Sequence, residues 1–340
     1  MRAIVVSARG RVDIRRDVNP GPLAAGRVRV RVRYAGVGFA DLMALKGGYP
    51  LAPRMPFSPG YEFFGRIEGI GGIGAEAGSE APRPGLRPGT RVAGVLPRMG
   101  AYRELVDVDP RLVVPVPDAL GDESAAAIPL NYLTALAMIE RAARLEKGGS
   151  FLVHGAAGGV GTAALELARV SGLRAYGSAS APKRSLVSAL GGIALSREGG
   201  AWLEELHELE PDGVDAAFDA FGLPSFRKSW RALSPKGRLV CYGIARGPKG
   251  GYPDFIAGLA YLGARALAGR GRGVRIVSLP RTAAGDPDWC REALSRIFGM
   301  AAEGKLSPIV ARSYAWDRAG EALEALAAGS VKGKLLLELS

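Results

Sequence analysis

Apolar and polar positions alternate in two different textures along the chain. Up to about residue 116 apolar residues come in short runs broken by Gly and Pro, at 3–6, 28–34, 63–70, 91–96, 102–106 and 112–116. In the second run Val28, Val30 and Val32 interleave with Arg27, Arg29, Arg31 and Arg33. Period-2 alternation puts every valine on one face of a strand and every arginine on the other. Many short strands of this kind predict a β-rich, barrel-like unit. Beyond Asp118 the texture changes. A helical stretch over 124–145, broken near Pro129, leads into strands at 151–153, 173–177, 214–219 and 238–242, with helices at 162–170, 183–190, 202–209 and 226–233 between them. This order predicts right-handed βαβ units and a doubly wound parallel sheet. Residues 255–267 read as an apolar helix carrying Phe255, Leu259, Tyr261 and Leu262, 275–279 as a strand and 288–303 as a helix. The last strand, 334–339, returns to the first unit, so the expected domains are 1–125 with 282–340, and 126–281. Residues 71–89, rich in Gly, Pro and Glu, read as a surface loop.

The chemistry concentrates in the turn after the strand at 151–153. Ala156, Gly158, Gly159, Val160 and Gly161 lie between that strand and a helix. Glycine lets a backbone approach a pyrophosphate, and a helix N-terminus offers free N–H groups and a positive dipole end. Four glycines, counting Gly155, exceed what a plain turn needs. About twenty residues on, an NAD site carries an acid for the ribose hydroxyls. Here the run holds Ser178, Ser180, Lys183 and Arg184 and no carboxylate. Hydroxyls and cations suit a 2′-phosphate, so the expected cofactor is NADPH.

Composition adds bounds. The 340 residues allow two domains, and 48 % apolar with 23 % charged residues is an ordinary globular balance. The formal charge of +12 is spread along the chain without aromatic interleaving, so nucleic acid is not an expected partner; it is compatible with steering of an anionic substrate or a carrier protein. Two cysteines, Cys241 and Cys290, exclude a disulfide framework or a multi-cysteine metal lobe. Residues 1–7 alternate like a strand and do not read as a signal peptide, and no run reaches the roughly 18 apolar residues of a membrane helix. A cytoplasmic protein without membrane insertion is the expectation.

Five motifs then carry a resemblance that runs the length of the chain: Gly36-Val37-Gly38-Phe39-Ala40-Asp41, Pro59-Gly60-Tyr61-Glu62-Phe63-Phe64-Gly65, the segment from Ile128-Pro129 to Thr134-Ala135, the loop Ala156 to Gly161, and Gly333-Lys334-Leu335-Leu336-Leu337. In this order they resemble the medium-chain dehydrogenase/reductase superfamily, and most of all the zinc-independent quinone oxidoreductases of the zeta-crystallin and VAT-1 types, close to polyketide enoyl reductases. The resemblance implies a GroES-like β-rich catalytic domain and a Rossmann cofactor domain. It also implies hydride transfer from NADPH to the β-carbon of a conjugated carbonyl. Zinc-dependent members carry Cys where this chain has Gly38 and His where it has Tyr61. Only Glu62 of that set remains, so no metal is expected. Quinone oxidoreductases usually carry Asn at the Gly38 position, which makes quinone itself a less secure substrate.

The same resemblance implies catalytic roles for Tyr49, Tyr61 and Asn131, and cofactor contacts for Thr134, Phe221, Gly243, Ile244 and Lys334. Packing at a domain edge for the tyrosines, and a plain surface lysine for Lys334, stand as equal readings. It also implies a homodimer paired through the strand at 275–279 and a hydrophobic conjugated carbonyl substrate, free or carrier-bound. The helix at 255–267 reads equally as a pocket lid, a core helix or a dimer helix. His154 reads as a satisfied structural histidine, His207 as solvated, and Asp41 as a loop-fixing residue. A nucleotide-binding protein without turnover, or a cyclisation on the same fold, remain open alternatives.

Overall fold

A computed structural model describes residues 1–72, 85–243, 252–268 and 271–339. Most of the loop expected over 71–89, and Ile244 with its expected cofactor contact, lie outside the described residues. The chain forms two compact units, Met1–Leu133 with Leu279–Ser340, and Thr134–Ser278.

The first unit opens with the antiparallel pair β1 (Ala3–Ala8) and β2 (Arg11–Arg15). Next come β3 (Val28–Val37), α1 (Phe39–Leu45), β4 (Glu62–Ile70), β5 (Arg91–Val95), β6 (Leu105–Val108), β7 (Val113–Pro115) and α2 (Asp122–Ala127). Strand β3 is the hub, antiparallel to both β4 and β6. Its valines are buried. Its arginines cover the other face in ion pairs. Arg29 grips Asp107 of β6 at 2.7 and 2.8 Å, Arg31 meets Glu68 of β4 at 2.6 Å, and Arg33 meets Asp122 of α2 at 2.7 Å. The basic stripe is therefore neutralised within its own sheet. The strand expected at 102–106 begins only at Leu105. Ahead of it Gly100 and Ala101 donate to the Gly60 carbonyl and Tyr102 N–H to the Pro59 carbonyl, which bends the chain away from the ladder.

Helix α3 (Pro129–Leu136) runs across the unit boundary and continues as a π-helical turn, Ala137–Ala143. The second unit is then β8 (Ser150–His154), α4 (Gly159–Ser171), β9 (Arg174–Ala179), α5 (Ala181–Ala189), β10 (Ile193–Ser196), α6 (Trp202–Leu209), β11 (Val214–Asp219), α7 (Leu223–Arg231), β12 (Leu233–Tyr242), α8 (Tyr252–Ala268) and β13 (Gly273–Val277). All six strands are parallel, in the order β10-β9-β8-β11-β12-β13. The chain thus winds outward in one direction from β8 and in the other from β11, so the β8/β11 boundary is a topological switch point. In open α/β sheets ligands bind there, beyond the carboxyl ends of the strands. The helix expected to reach Leu233 stops at Arg231, because Leu233 already pairs with Val214 as the first residue of β12. Helix α8 packs on α7: a Cβ at Gly258 would lie 2.6 Å from the Phe226 ring, and Leu262 is fully buried in the shared core. Ile256 and Leu267 on the same helix remain exposed.

The chain then returns to the first unit as α9 (Leu279–Gly285), α10 (Pro287–Ala302), β14 (Val310–Ala315), α11 (Ala319–Ala327) and β15 (Lys334–Glu338). Strand β15 runs parallel to β14 and antiparallel to β3, so the final leucine run joins the first sheet.

Candidate active site

In the second unit the site is built at the carboxyl ends of β8 and β11. Gly155 leaves β8 with φ +67°, a left-handed conformation that favours glycine. Gly158 caps α4 without a side chain of its own, and a Cβ at Gly161 would lie 2.5 Å from the Gly155 carbonyl oxygen. The first turn of α4 therefore lies tight against the turn that feeds it. A Cβ at Gly177 on β9 would lie 2.7 Å from the Ala156 side chain, so strand and turn also touch. The N–H groups of Gly159, Val160 and Gly161 in this first turn have no intrahelical acceptor. Backbone donors on a glycine-bared surface at a switch point fit the pyrophosphate of a dinucleotide.

Behind that turn lies a buried relay. His154 Nδ1 is 2.8 Å from Ser178 Oγ and Nε2 is 2.9 Å from Ser229 Oγ. Ser229 and Ser225 each donate to Asp219 Oδ2 at 2.6 Å, and Phe221 N–H donates to Asp219 Oδ1 at 2.8 Å. Because Ser229 spends its proton on Asp219, its oxygen must accept from His154. That puts the imidazole proton on Nε2 and leaves Nδ1 to accept from Ser178. Burial lowers the His154 pKa, against the opposing pull of Asp219, which keeps the ring neutral. The Tyr242 hydroxyl donates to the His154 carbonyl at 3.2 Å. The relay ties together the ends of β8, β9, β11 and β12, and so fixes the turns that carry Gly155 and Phe221.

Ser178, expected near the 2′-phosphate, is 1 % exposed and its hydroxyl is bonded to His154. Ser180 is half-buried at the N-cap of α5 and makes no side-chain capping bond, and Lys183 follows in the first turn of that helix. The structure also supplies a carboxylate that the local run lacks. Glu198, beyond β10, accepts the Ala181 N–H at 3.1 Å and the Ser196 hydroxyl at 2.9 Å, and stands 3.8 Å from Arg184. No local signal could have placed it at the start of α5. Gly243 ends β12 with φ +60°.

In the first unit Tyr49 and Tyr61 meet edge to face, with centroids 6.2 Å apart at 78°, in an apolar cluster with Val6, Phe57 and Met99. Tyr61 is almost fully buried, and burial, then the neighbouring Tyr49 phenol, pushes its pKa far up. Burial also raises Tyr49, but the Tyr61 phenol and the charge of Arg281 pull it back. Beneath them Asp41 accepts from the Gly38 and Gly60 N–H groups, both at 2.8 Å, and from the Tyr102 hydroxyl at 3.1 Å. Burial outweighs these donors and raises its pKa to about 6.

Glu62 is fully buried. One oxygen accepts the Leu130 N–H at 2.7 Å and the other faces the Lys334 ammonium. Lys334 is only 3 % exposed and ion-paired with Glu62, which corrects the reading of it as a surface lysine. A Cβ at Gly36 would fall 2.1 Å from Glu62 Oε1, so that glycine makes room for the pair. Asn131 and Thr134, three residues apart on α3, are both buried. At Gly38 a Cβ would meet only Asp41 at 3.5 Å and Leu130 at 3.7 Å, so a side chain is missing there without steric need. Among the described residues no three His, Cys, Asp or Glu side chains gather as a metal site.

Comparison with known proteins agrees with this architecture. Residues 24–118 match the family model described as alcohol dehydrogenase GroES-like domain, and residues 198–337 the one described as zinc-binding dehydrogenase. The chain belongs to the medium-chain dehydrogenase/reductase family, a family of oxidoreductases with a GroES-like unit and a Rossmann-type unit. Within it, the chain is 30 % identical over 335 residues to a quinone oxidoreductase of Pseudomonas aeruginosa, covering 95 % of this chain and 94 % of that protein. It is 30 % identical over 353 residues to the synaptic vesicle membrane protein VAT-1 homolog of Danio rerio, covering 99 % and 69 %. A mycobacterial protein solved in complex with NADPH matches 100 % of both chains at 26 % identity, with a TM-score of 0.85.

Two outcomes follow from the buried charges. Replacing Lys334 by Ala strands Glu62 without a counter-ion and is expected to cost about 3–5 kcal/mol in denaturant unfolding. NADPH affinity of the folded variant should be unchanged; weakened NADPH with intact stability would assign it the cofactor role instead. For Asp41 the folded pKa lies above the ordinary value of 3.8, so the neutral form stabilises the fold. That contribution is full below about pH 4 and is lost as pH rises through about 6. Denaturant unfolding of wild type against Asp41→Asn from pH 4 to 7 should show the wild type losing ground across this window. A flat difference would mean that Asp41 is ionised throughout.

Proposed function

We propose that the protein is a zinc-independent, NADPH-dependent reductase of conjugated carbonyls, taking enone, quinone or enoyl substrates. The observation that carries this reading is the tight glycine turn at the β8/β11 switch point, where α4 presents its free N–H groups. The relative solved with NADPH and the quinone oxidoreductase relative support it. When bound, NADPH supplies the hydride for the substrate β-carbon. The chain supplies the rest. Ala156 and the free N–H groups of Gly159, Val160 and Gly161 would cradle the pyrophosphate, with Gly158 fixing the turn through its own N–H bond to the Gly155 carbonyl, and Ser180 with Lys183 would receive the 2′-phosphate. Thr134, Phe221 and Gly243 bound the nicotinamide side, with Asn131 beside its ribose. Tyr49 donates a hydrogen bond to the carbonyl oxygen, where charge develops, and the Tyr61 ring holds the Tyr49 ring edge to face.

Zinc independence rests on the donor set. Gly38 offers no ligand, Tyr61 is turned to Tyr49, and Glu62 is already ion-paired. A catalytic zinc takes three protein ligands, chiefly nitrogen and sulfur. The assembly we infer is a homodimer in the cytoplasm. Strand β13 closes the edge of the parallel sheet, and Ile276 on it is 61 % exposed. An exposed apolar edge strand invites pairing, and isologous pairing with a second copy buries it.

NADPH oxidation with a panel of 2-enones, quinones and enoyl thioesters tests the reading. Turnover with at least one class is expected, with NADPH bound about tenfold or more tighter than NADH in fluorescence titration. Tyr49→Phe should lower turnover by about 10²-fold and leave NADPH affinity unchanged. Tight NADPH binding with no acceptor reduced would leave a nucleotide-binding protein instead. Static light scattering should give a dimer, and Ile276→Asp a monomer that still binds NADPH; a monomeric wild type at micromolar concentration would refute the dimer.

A further inference from the structure

A second concave surface lies in the first unit, separate from the nucleotide turn. It is a groove of about 400 Å³, walled by Pro53, Pro97 and Pro280 and rimmed by Arg54, Arg98 and Arg281. All three arginines are exposed, and none makes an ion pair or hydrogen bond among the described residues. That sets them apart from the arginines of β3, which all find acceptors. No acidic side chain lines the groove. Three guanidinium groups brought to one hollow repel each other, and each proline wall fixes a backbone φ, so the cluster stands without an internal counter-ion.

The groove adjoins the tyrosine pair. Leu51 in its wall follows Tyr49 by two residues, and Arg98 precedes Met99, which packs against Tyr61. The charge of Arg281 is felt at the Tyr49 phenol. A ligand seated on the arginines can therefore extend an apolar part toward the Tyr49 hydroxyl.

The kind of anion follows from donor count. One carboxylate satisfies one guanidinium fork and leaves two cations unpaired. A phosphate monoester carries about two negative charges and three terminal acceptor oxygens, enough to engage several forks at once. We propose that this groove is an anion-recognition subsite that holds the phosphate-bearing arm of an acyl or enone conjugate. The proposal rests on the reductase reading for the acyl part, while the anion site stands on its own residues. Coenzyme A supplies such a monoester at its 3′-position, with a pyrophosphate beside it, whereas the phosphopantetheine arm of a carrier protein is joined by a diester with one charge and two free oxygens and engages fewer forks.

The experiment uses the full chain saturated with NADPH, so that nucleotide-like probes are excluded from the cofactor turn. Coenzyme A, phosphopantetheine and pantetheine are titrated calorimetrically at low salt into wild type and into Arg54→Ala/Arg98→Ala, which leaves Arg281 and its charge near Tyr49 in place. The two phosphorylated probes should bind about tenfold or more tighter than pantetheine, and the double variant should lose that margin. Equal binding of coenzyme A and phosphopantetheine would assign the groove to the phosphate they share; arginine-dependent binding of coenzyme A alone would assign it to the nucleotide phosphates. With crotonyl thioesters the double variant should raise KM for the coenzyme A conjugate about tenfold and leave kcat/KM for the neutral N-acetylcysteamine conjugate unchanged. Pantetheine binding as well as its phosphate, or a double variant that binds like wild type, overturns the proposal. Absence of turnover with every thioester would fail the reductase reading alone, since the titrations judge the groove without it. Unaltered melting temperatures and NADPH affinity in the variant exclude misfolding as the cause.

Discussion

One buried carboxylate organises the first unit. Glu62 stands on β4, faces Lys334 on β15, accepts the Leu130 N–H at the start of α3 and presses against Gly36 on β3. Taking two charges out of water costs several kcal/mol per ion, and the pair offsets this only when its geometry is good and its remaining sites are filled. Here the Leu130 N–H fills one of them. The consequence is specificity of position. The last strand of the chain, the hub strand and the helix that carries Asn131 and Thr134 meet at one fixed point. The glycine at 36 is part of the same device, because a single added methyl group would occupy the carboxylate's place.

The second unit uses a neutral version of the same strategy. His154, Ser178, Ser229 and Asp219 form a chain in which every proton has one available direction. Each link joins the end of a different element, and the ends so joined carry the turns of the nucleotide site. A half-satisfied network in a dry interior would cost more than an apolar core; a fully satisfied one holds a single arrangement. Its neutral charge state matters as well: a protonated imidazole could not accept from Ser178, and the burial of His154 disfavours that form. The tight packing of Gly161 and Gly177 then needs no further support from side chains.

Arginine is abundant in this chain, and its meaning depends wholly on pairing. On β3 each guanidinium is matched to an acceptor on a neighbouring element, so the row of positive charges is a means of binding strands to one another. Around the proline-walled groove the same side chain is unmatched. The net charge of +12 does not distinguish these cases. Only the positions of Asp107, Glu68 and Asp122 do.

Much of the architecture was legible in local pattern. The valine–arginine alternation marked β3 and its two faces, the strand–helix alternation marked the parallel sheet, and the glycines from 155 to 161 marked the phosphate turn, because each signal spans only a few neighbouring residues. Elements at sheet edges were harder: β10 and β14 have weak apolar periodicity, since an edge strand buries little. Side-chain partners across the fold were not legible at all. The return of β15 places Lys334 on Glu62, His154 takes the Ser178 hydroxyl, and Glu198 reaches the start of α5 from beyond β10; none of these partners is adjacent in sequence. Periodicity and turn chemistry are set by adjacent residues and survive in the sequence; the partner of a buried polar group is set by which distant elements pack together, and that was decided only by the tertiary structure.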